Sequence, residues 1–365
     1  MTAPVDAAAH AAELHSRAIV IDCHSDILMP IADGHIRMAD DVQVPDPAAW
    51  QPPFLMPPPE SKYTKWPRGS AFGTIGQYGL PHFLRGGLTA QVCAIYVDDR
   101  QLHDALRRSL DMVWWLHREV EDNERLELAT TAADIRRAKE QGKVAAVMAL
   151  EGLEPVGYDL KMLDLFYKLG VRMAGMAHNR RNYYCDGTMH GIHTGGLTDP
   201  GKQAIRRMNE LRMVVDVGHF DARGFWDALE VSSAPVVLSH RSPRAFFPLR
   251  PEDSRLHPSY DVTRGRERLE ALAQNGGVFG VFFLGARHVG DVVDDIEYVI
   301  DLVGPEHVGL GSDLYGLSGA PKGLEDISKV PAITEELVRR GHPDEVVLKV
   351  LGENFLRVFE QVWGG

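Results

Sequence analysis

Six short apolar runs of this chain end on a histidine or a carboxylate. Residues 18–22 lead into Cys23-His24-Ser25-Asp26, residues 144–150 into Glu151-Gly152, and residues 171–177 into His178-Asn179. Residues 213–218 lead into His219, residues 235–239 into His240, and residues 307–312 into Asp313. Buried singly, such groups would be costly uncompensated charges, and a divalent cation removes the conflict. His24 and Asp26 stand two apart on an extended segment, so both side chains can point the same way. Glu151, His219 and His240 add one carboxylate and two imidazoles. Five donors exceed one tetrahedral catalytic site, whereas two ions sharing a carboxylate use them all. Imidazole and carboxylate without thiolate suit Zn2+ first, with Mn2+, Co2+ or Fe2+ as alternatives. The composition agrees, with 16 histidines against three cysteines. Cys23 falls inside the first cluster, but strand alternation turns its side chain away from those of its neighbours and marks it as packing. Two ions about 3.5 Å apart ionise a water held between them and polarise a carbonyl.

Residues so far apart in sequence meet only if the fold gathers the ends of its strands. Eight apolar, β-branched runs occupy residues 18–22, 88–97, 144–150, 171–177, 213–218, 235–239, 277–283 and 307–312. They are continuous rather than alternating, as strands buried on both faces of a parallel sheet are. Helical periodicity fills the gaps, for example at 102–120 and 160–170, and Gly142, Gly170 and Gly276 stand where helices would be capped. Eight strands alternating with helices predict an α/β fold, a (β/α)8 TIM-type barrel whose C-terminal strand ends converge on one mouth. A doubly wound open sheet competes, but no Gly-x-Gly-x-x-Gly follows the first run.

The length of 365 residues exceeds the usual single-core range of about 250–300, which leaves two domains or one large barrel. No repeat or low-complexity linker divides the chain, so residues 1–365 read as one domain. Hydrophobic residues at 44% and charged residues at 25% exclude disordered and fibrous classes. A net charge of −12 argues against a nucleic-acid partner. No apolar run approaches the roughly 20 residues of a membrane span, and the N-terminal stretch lacks a signal-like apolar core. These features predict a cytoplasmic protein with no membrane partner.

Two segments interrupt the pattern. Residues 41–70 carry eight prolines, a density that excludes a helix and disfavours an internal strand. An excursion over 41–80 is expected after the first strand, either as an ordered surface loop or as a lid over the barrel mouth. A second long connection, 241–263, follows the sixth run.

The motifs taken together point to a family. Ile21-Asp22-Cys23-His24-Ser25-Asp26, Ala149-Leu150-Glu151-Gly152, and Gly170-Val171-Arg172 through His178-Asn179 match its pattern. So do Gly196-Leu197-Thr198 through Gly201-Lys202, Asp216-Val217-Gly218-His219, Ser239-His240, and His307 through Asp313. In these, over most of residues 15–360 and in order, the chain resembles the membrane (renal) dipeptidase family of zinc metallopeptidases, within the amidohydrolase-like superfamily. The resemblance implies a hydrolase of small dipeptides, L,D-dipeptides included, acting through hydroxide held between two zinc ions. His24 and Asp26 would hold one ion, His219 and His240 the other, and Glu151 both. His178 would contact the scissile carbonyl and stabilise the oxyanion, and Asp313 would carry the proton to the leaving amine. These roles suit the residue types, because an imidazole beside cations cradles developing charge and a carboxylate serves as acid and base. A homodimer is also within the family's range.

Departures from the pattern bear on the substrate. The family has an Arg-Asn pair about ten residues after the histidine equivalent to His240, whose arginine grips the substrate carboxylate. No such pair occurs here, and Arg250 stands closest to the expected spacing for bidentate carboxylate binding. The usual Ser-Asp-Phe-Asp-Gly reads Ser312-Asp313-Leu314-Tyr315-Gly316 and loses its second acid. A metal-dependent hydrolase of another small amide or a modified dipeptide is therefore the alternative, and a catalytically silent metal-binding barrel the lesser one. Barrels of the phosphotriesterase type carry His-x-His on the first strand, against His24-x-Asp26 here.

Overall fold

All eight anticipated strands form, and one more. The computed structural model describes residues 7–41, 78–188, 195–243, 262–317 and 320–364. The strands are β1 (Ile21–Ser25), β2 (Ala90–Tyr96), β3 (Leu126–Leu128), β4 (Val144–Glu151), β5 (Val171–Gly175), β6 (Val214–Asp216), β7 (Val237–Arg241), β8 (Val278–Val281) and β9 (Val308–Leu310). Every ladder is parallel, and pairings of β1 with β9 and of β2 with β4 close eight of them into a barrel. The unanticipated β3 lies outside that ring. It pairs with Val144–Ala146 at the start of β4, below the stretch Met148–Glu151 that pairs with β5. Three residues reading Leu-Glu-Leu carry no apolar run, so periodicity could not flag them.

Helices follow the strands and cover the ring. Their starts are written locally: Thr131 caps Ala132–Gln141 by accepting from the Asp134 amide, and Asp221 caps Ala222–Val231 by accepting from the Arg223 and Gly224 amides. Gly142 ends the first of these in the left-handed region, at φ 63°. Two apolar layers result. The larger lies between strands and helices; the smaller fills the ring and includes Ile21, Ala90, Ala145, Val214, Val237 and Val278. These are N-terminal strand residues, and Phe355, Phe359 and Trp363 of the C-terminal helix Asn354–Trp363 join the same layer. That helix plugs the floor opposite the mouth.

Two irregularities matter at the other end. Between Asp22 and Ser25, β1 spends one more residue than β2 does between Gln91 and Cys93. Between Leu238 and Arg241, β7 likewise spends one more than β8 does between Phe279 and Val281. Each is a β-bulge, which reverses the in–out alternation beyond it and re-aims side chains. Cys23 packs in the inner layer beside Ile21, the residue two places back on the same face. Burial pushes its thiol well above the ordinary value, so it remains a packing residue.

The helix Val262–Gln274 takes the last residues of the expected 241–263 connection. Residues 244–261 of that connection, Arg250 included, lie outside the described residues, as does the excursion apart from its ends at residue 41 and residues 78–80. Among the described residues, no helix is long and apolar enough to cross a membrane.

Candidate metal centre

The strand ends bring seven of the eight anticipated site residues to one mouth. His24 and Asp26 come from the bulged end of β1, Glu151 is the last residue of β4, and His240 lies in the bulge of β7. His178, His219 and Asp313 each stand three residues past the ends of β5, β6 and β9. Glu151 is the hub. Its Oε2 lies 3.5 Å from His24 Nε2, and its Oε1 lies 3.0 Å from His219 Nε2, 3.8 Å from His240 Nε2 and 3.9 Å from His178 Nε2. Asp313 Oδ1 approaches His24 Nε2 at 3.5 Å.

Two ligand groups share that hub. His24, Asp26 and Glu151 each offer an atom within 4.8 Å of the others, and so do Glu151, His219 and His240. His24, Asp216 and His240 form a third such group. The arrangement fits a cation on three observations. His24 Nδ1, His24 Nε2 and Asp26 Oδ1 are buried with no hydrogen bond, although buried polar atoms are nearly always satisfied. His219 Nε2 and His240 Nε2 lie 2.8 Å apart. The donors are all nitrogen and oxygen, the set that suits zinc and its divalent neighbours.

The electrostatics describe the same conflict. Burial disfavours a charged His24, yet Glu151, Asp313 and Asp26 around it hold its pKa up at about 10. Burial and the Glu151 charge push Asp26 up to about 8. Burial also works against an ionised Glu151, but His24 and the hydrogen bond from His219 outweigh it and keep its carboxyl well below the usual range. Asp313 is held well above the carboxylate range by burial, with Asp26 and Glu151 adding to it against His24. Burial and the His219 ring lower His178 to about 3, so it stands as a neutral imidazole.

The loop carrying Asp313 is held in an uncommon conformation. Asp313 and Tyr315 adopt φ 58° and φ 72°, a left-handed geometry that costs energy in non-glycine residues. The Asp313 amide donates to the His24 carbonyl at 3.1 Å. Tyr315, standing where the family pattern has an acid, donates its hydroxyl to the Tyr78 carbonyl at 2.8 Å and accepts from the Tyr78 amide at 3.0 Å. The Tyr78 hydroxyl in turn meets Ser25 Oγ, between His24 and Asp26. Gly316 must lack a side chain: a Cβ there would lie 2.3 Å from Asp313 Oδ1 and 2.5 Å from Asp26 Oδ2.

Residues given no role in the sequence reading support this centre. Asn179 accepts from His219 Nδ1 at 3.1 Å and from the Thr188 hydroxyl at 2.6 Å. Tyr96, at the end of β2, sets its ring 4.6 Å from that of His178. Asp22 accepts from the Ser312 amide at 2.7 Å and its hydroxyl at 2.6 Å, tying β1 to the Asp313 loop. Asp216 binds Ser239 in the same way. Each Asp stands two or three residues before a candidate ligand histidine, the one signal that could have drawn notice to it.

Dipeptidase tcpJ of Claviceps purpurea (strain 20.1) is 32% identical over 306 residues, covering 79% of this chain and 69% of that protein. Dipeptidase ataJ of Aspergillus terreus is 32% identical over 329 residues, covering 79% and 77%. Among solved structures, dipeptidase AC, described as a metallopeptidase of family M19, superposes with a TM-score of 0.75 at 25% identity over 95% of this chain and 99% of that one. A Rhodobacter sphaeroides metallopeptidase liganded with a phosphinate mimic of L-Ala-D-Ala gives 0.74 at 24% identity over the same shares, a likeness of fold. The family model for membrane dipeptidase, peptidase family M19, matches residues 8–363. The chain belongs to that family.

Proposed function

We propose that this protein is a dipeptidase with two Zn2+ ions per chain, His24 and Asp26 holding one, His219 and His240 the other, and Glu151 both. The observation that carries the reading is Glu151, whose two carboxylate oxygens face different histidines, Oε2 toward His24 and Oε1 toward His219. Metal dependence itself comes with the family. Bound there, the ions supply Lewis acidity and a water acidified enough to attack a carbonyl.

This chain's own residues supply the rest. His178, neutral at working pH, faces the space beside Glu151 and donates a hydrogen bond to the carbonyl oxygen as charge develops on it. Asp313 takes the proton of the attacking water on its carboxylate and passes it to the leaving amine nitrogen. Arg250 binds the substrate's C-terminal carboxylate through paired N–H groups. The substrates are small dipeptides, with D-residues accepted at the C-terminal position; the mimic bound to the Rhodobacter sphaeroides relative has that stereochemistry.

A second reading, a small amide or modified dipeptide as substrate, draws on Tyr315 in place of an acid and on the absent Arg-Asn pair. Screening zinc-loaded protein against L,L- and L,D-dipeptides separates the two. Cleavage of several members is expected, and cleavage of none would move the assignment to the second reading.

A further inference from the structure

We infer that Asp216 and Ser239 form a positioning relay that fixes the ring of His240 with Nε2 presented to a metal ion. The inference rests on the two-ion reading above and concerns two residues that reading leaves without a role. Asp216 ends β6 and is buried. Its Oδ1 accepts from the amides of Gly218 at 2.9 Å and Ser239 at 3.0 Å, and its Oδ2 accepts from the Ser239 hydroxyl at 2.5 Å. A hydroxyl has one proton, and here it is committed to Asp216. Toward His240 Nδ1, at 2.8 Å, Ser239 Oγ can therefore only accept. Nδ1 then carries the ring hydrogen, and the lone pair resides on Nε2, which faces His219 Nε2 at 2.8 Å and Glu151 Oε1 at 3.8 Å.

The bulge alone does not secure this. It turns His240 inward, but an imidazole can still rotate about a broad, roughly two-fold torsion that exchanges its nitrogens. The hydroxyl on one side removes the ambiguity, as outer hydrogen bonds to ligand histidines commonly do. His219 has the equivalent support from Asn179 Oδ1 at 3.1 Å. His24 has none, since neither of its ring nitrogens makes a hydrogen bond. One half of the centre is thus braced and the other is not. Asp216 also comes within ligand distance of His24 and His240. Moving its Oδ2 onto an ion would strip the Ser239 hydroxyl of its acceptor, so the relay is the assignment that leaves the Ser239 hydroxyl and His240 Nδ1 both satisfied.

The test measures metal, not turnover. Metal-free protein is titrated with Zn2+ against a chromogenic chelator, and folding is checked by circular dichroism. Ser239→Ala and Asp216→Asn should each weaken one of the two ions by about 10- to 100-fold and leave the other within about threefold. Adding Ser239→Ala to His240→Ala should cause no further loss. Wild-type affinity for both ions in Ser239→Ala would overturn the relay alone, as would an additional loss in the His240→Ala background. Ser239→Ala removes only a hydroxyl, so the result stands even if Asp216→Asn folds poorly. A wild-type chain that takes up no zinc would overturn the two-ion reading, and the relay with it.

Discussion

His219 and His240 direct their Nε2 atoms at each other across 2.8 Å, while the opposite nitrogen of each ring is occupied by Asn179 or Ser239. Without metal a shared proton must bridge that gap, whereas an ion held there would take up both lone pairs. The centre should therefore gain stability with metal. Elemental analysis of zinc-grown protein should find close to two zinc per chain. Chelation should lower the melting temperature, since an ion present at 100 times its Kd adds about 2.7 kcal/mol. An unchanged melting curve after full removal would contradict the arrangement.

The metal-free protein should lose stability as pH rises. His24 has a folded pKa of about 10 against an ordinary 6.5, so its contribution is complete below 6.5 and lost as pH climbs through 10. Asp26, at about 8 against 3.8, also favours its protonated form in the fold, and that contribution fades between those values. A zinc ion held by these two residues would replace the His24 proton and ionise Asp26. The gap in melting temperature between loaded and metal-free protein should thus widen from about pH 6 to about pH 9, with protons released on binding. A constant or narrowing gap would count against it.

Asp313 separates chemistry from backbone strain. At φ 58° it occupies a region that Asn tolerates and Ala does not. Asp313→Asn should reduce turnover at least about a hundredfold with zinc and stability retained. Asp313→Ala should lose the same activity and melt earlier by the equivalent of about 1 kcal/mol. Full turnover in the Asn variant would remove Asp313 from its assigned role.

Gly316 should be as intolerant as a catalytic group although it performs no chemistry. A methyl there meets Asp313 and Asp26 oxygens at 2.3 and 2.5 Å. Gly316→Ala should cut kcat about a hundredfold through a displacement near 1 Å, with the circular dichroism spectrum unchanged. Wild-type kcat would mean the loop yields freely.

Arg250 is tested by the substrate. Arg250→Ala should raise KM for free dipeptides and leave it unchanged for C-terminally amidated ones. An equal effect on both would transfer carboxylate recognition to another arginine.

The barrel and the convergence of the strand-end side chains on its mouth were legible because they rest on composition and order. Continuous apolar runs mark strands buried on both faces, and a parallel barrel must bring their C-terminal ends together. What escaped is what breaks the period. Read with strict alternation from Ile21, His24 would face the helices; the bulge between Asp22 and Ser25 turns it to the mouth. Nothing in the letters announces a bulge. Asp216 and Ser239 were visible as residues, but a hydrogen-bond role depends on which strand lies alongside. Tyr315 read as a loss, whereas its hydroxyl is fully engaged with Tyr78.

The two bulges carry a consequence for motion. Each interrupts the hydrogen-bond ladder near the mouth, whereas the β2–β4 and β5–β6 ladders run without a register shift from Ala90 and Val214. Amide protons should then exchange with solvent in a graded fashion along the barrel axis, slowly at Ala90 and Val214 and faster near Ser25 and Arg241. Such a gradient would concentrate rigidity at the floor, away from the chemistry.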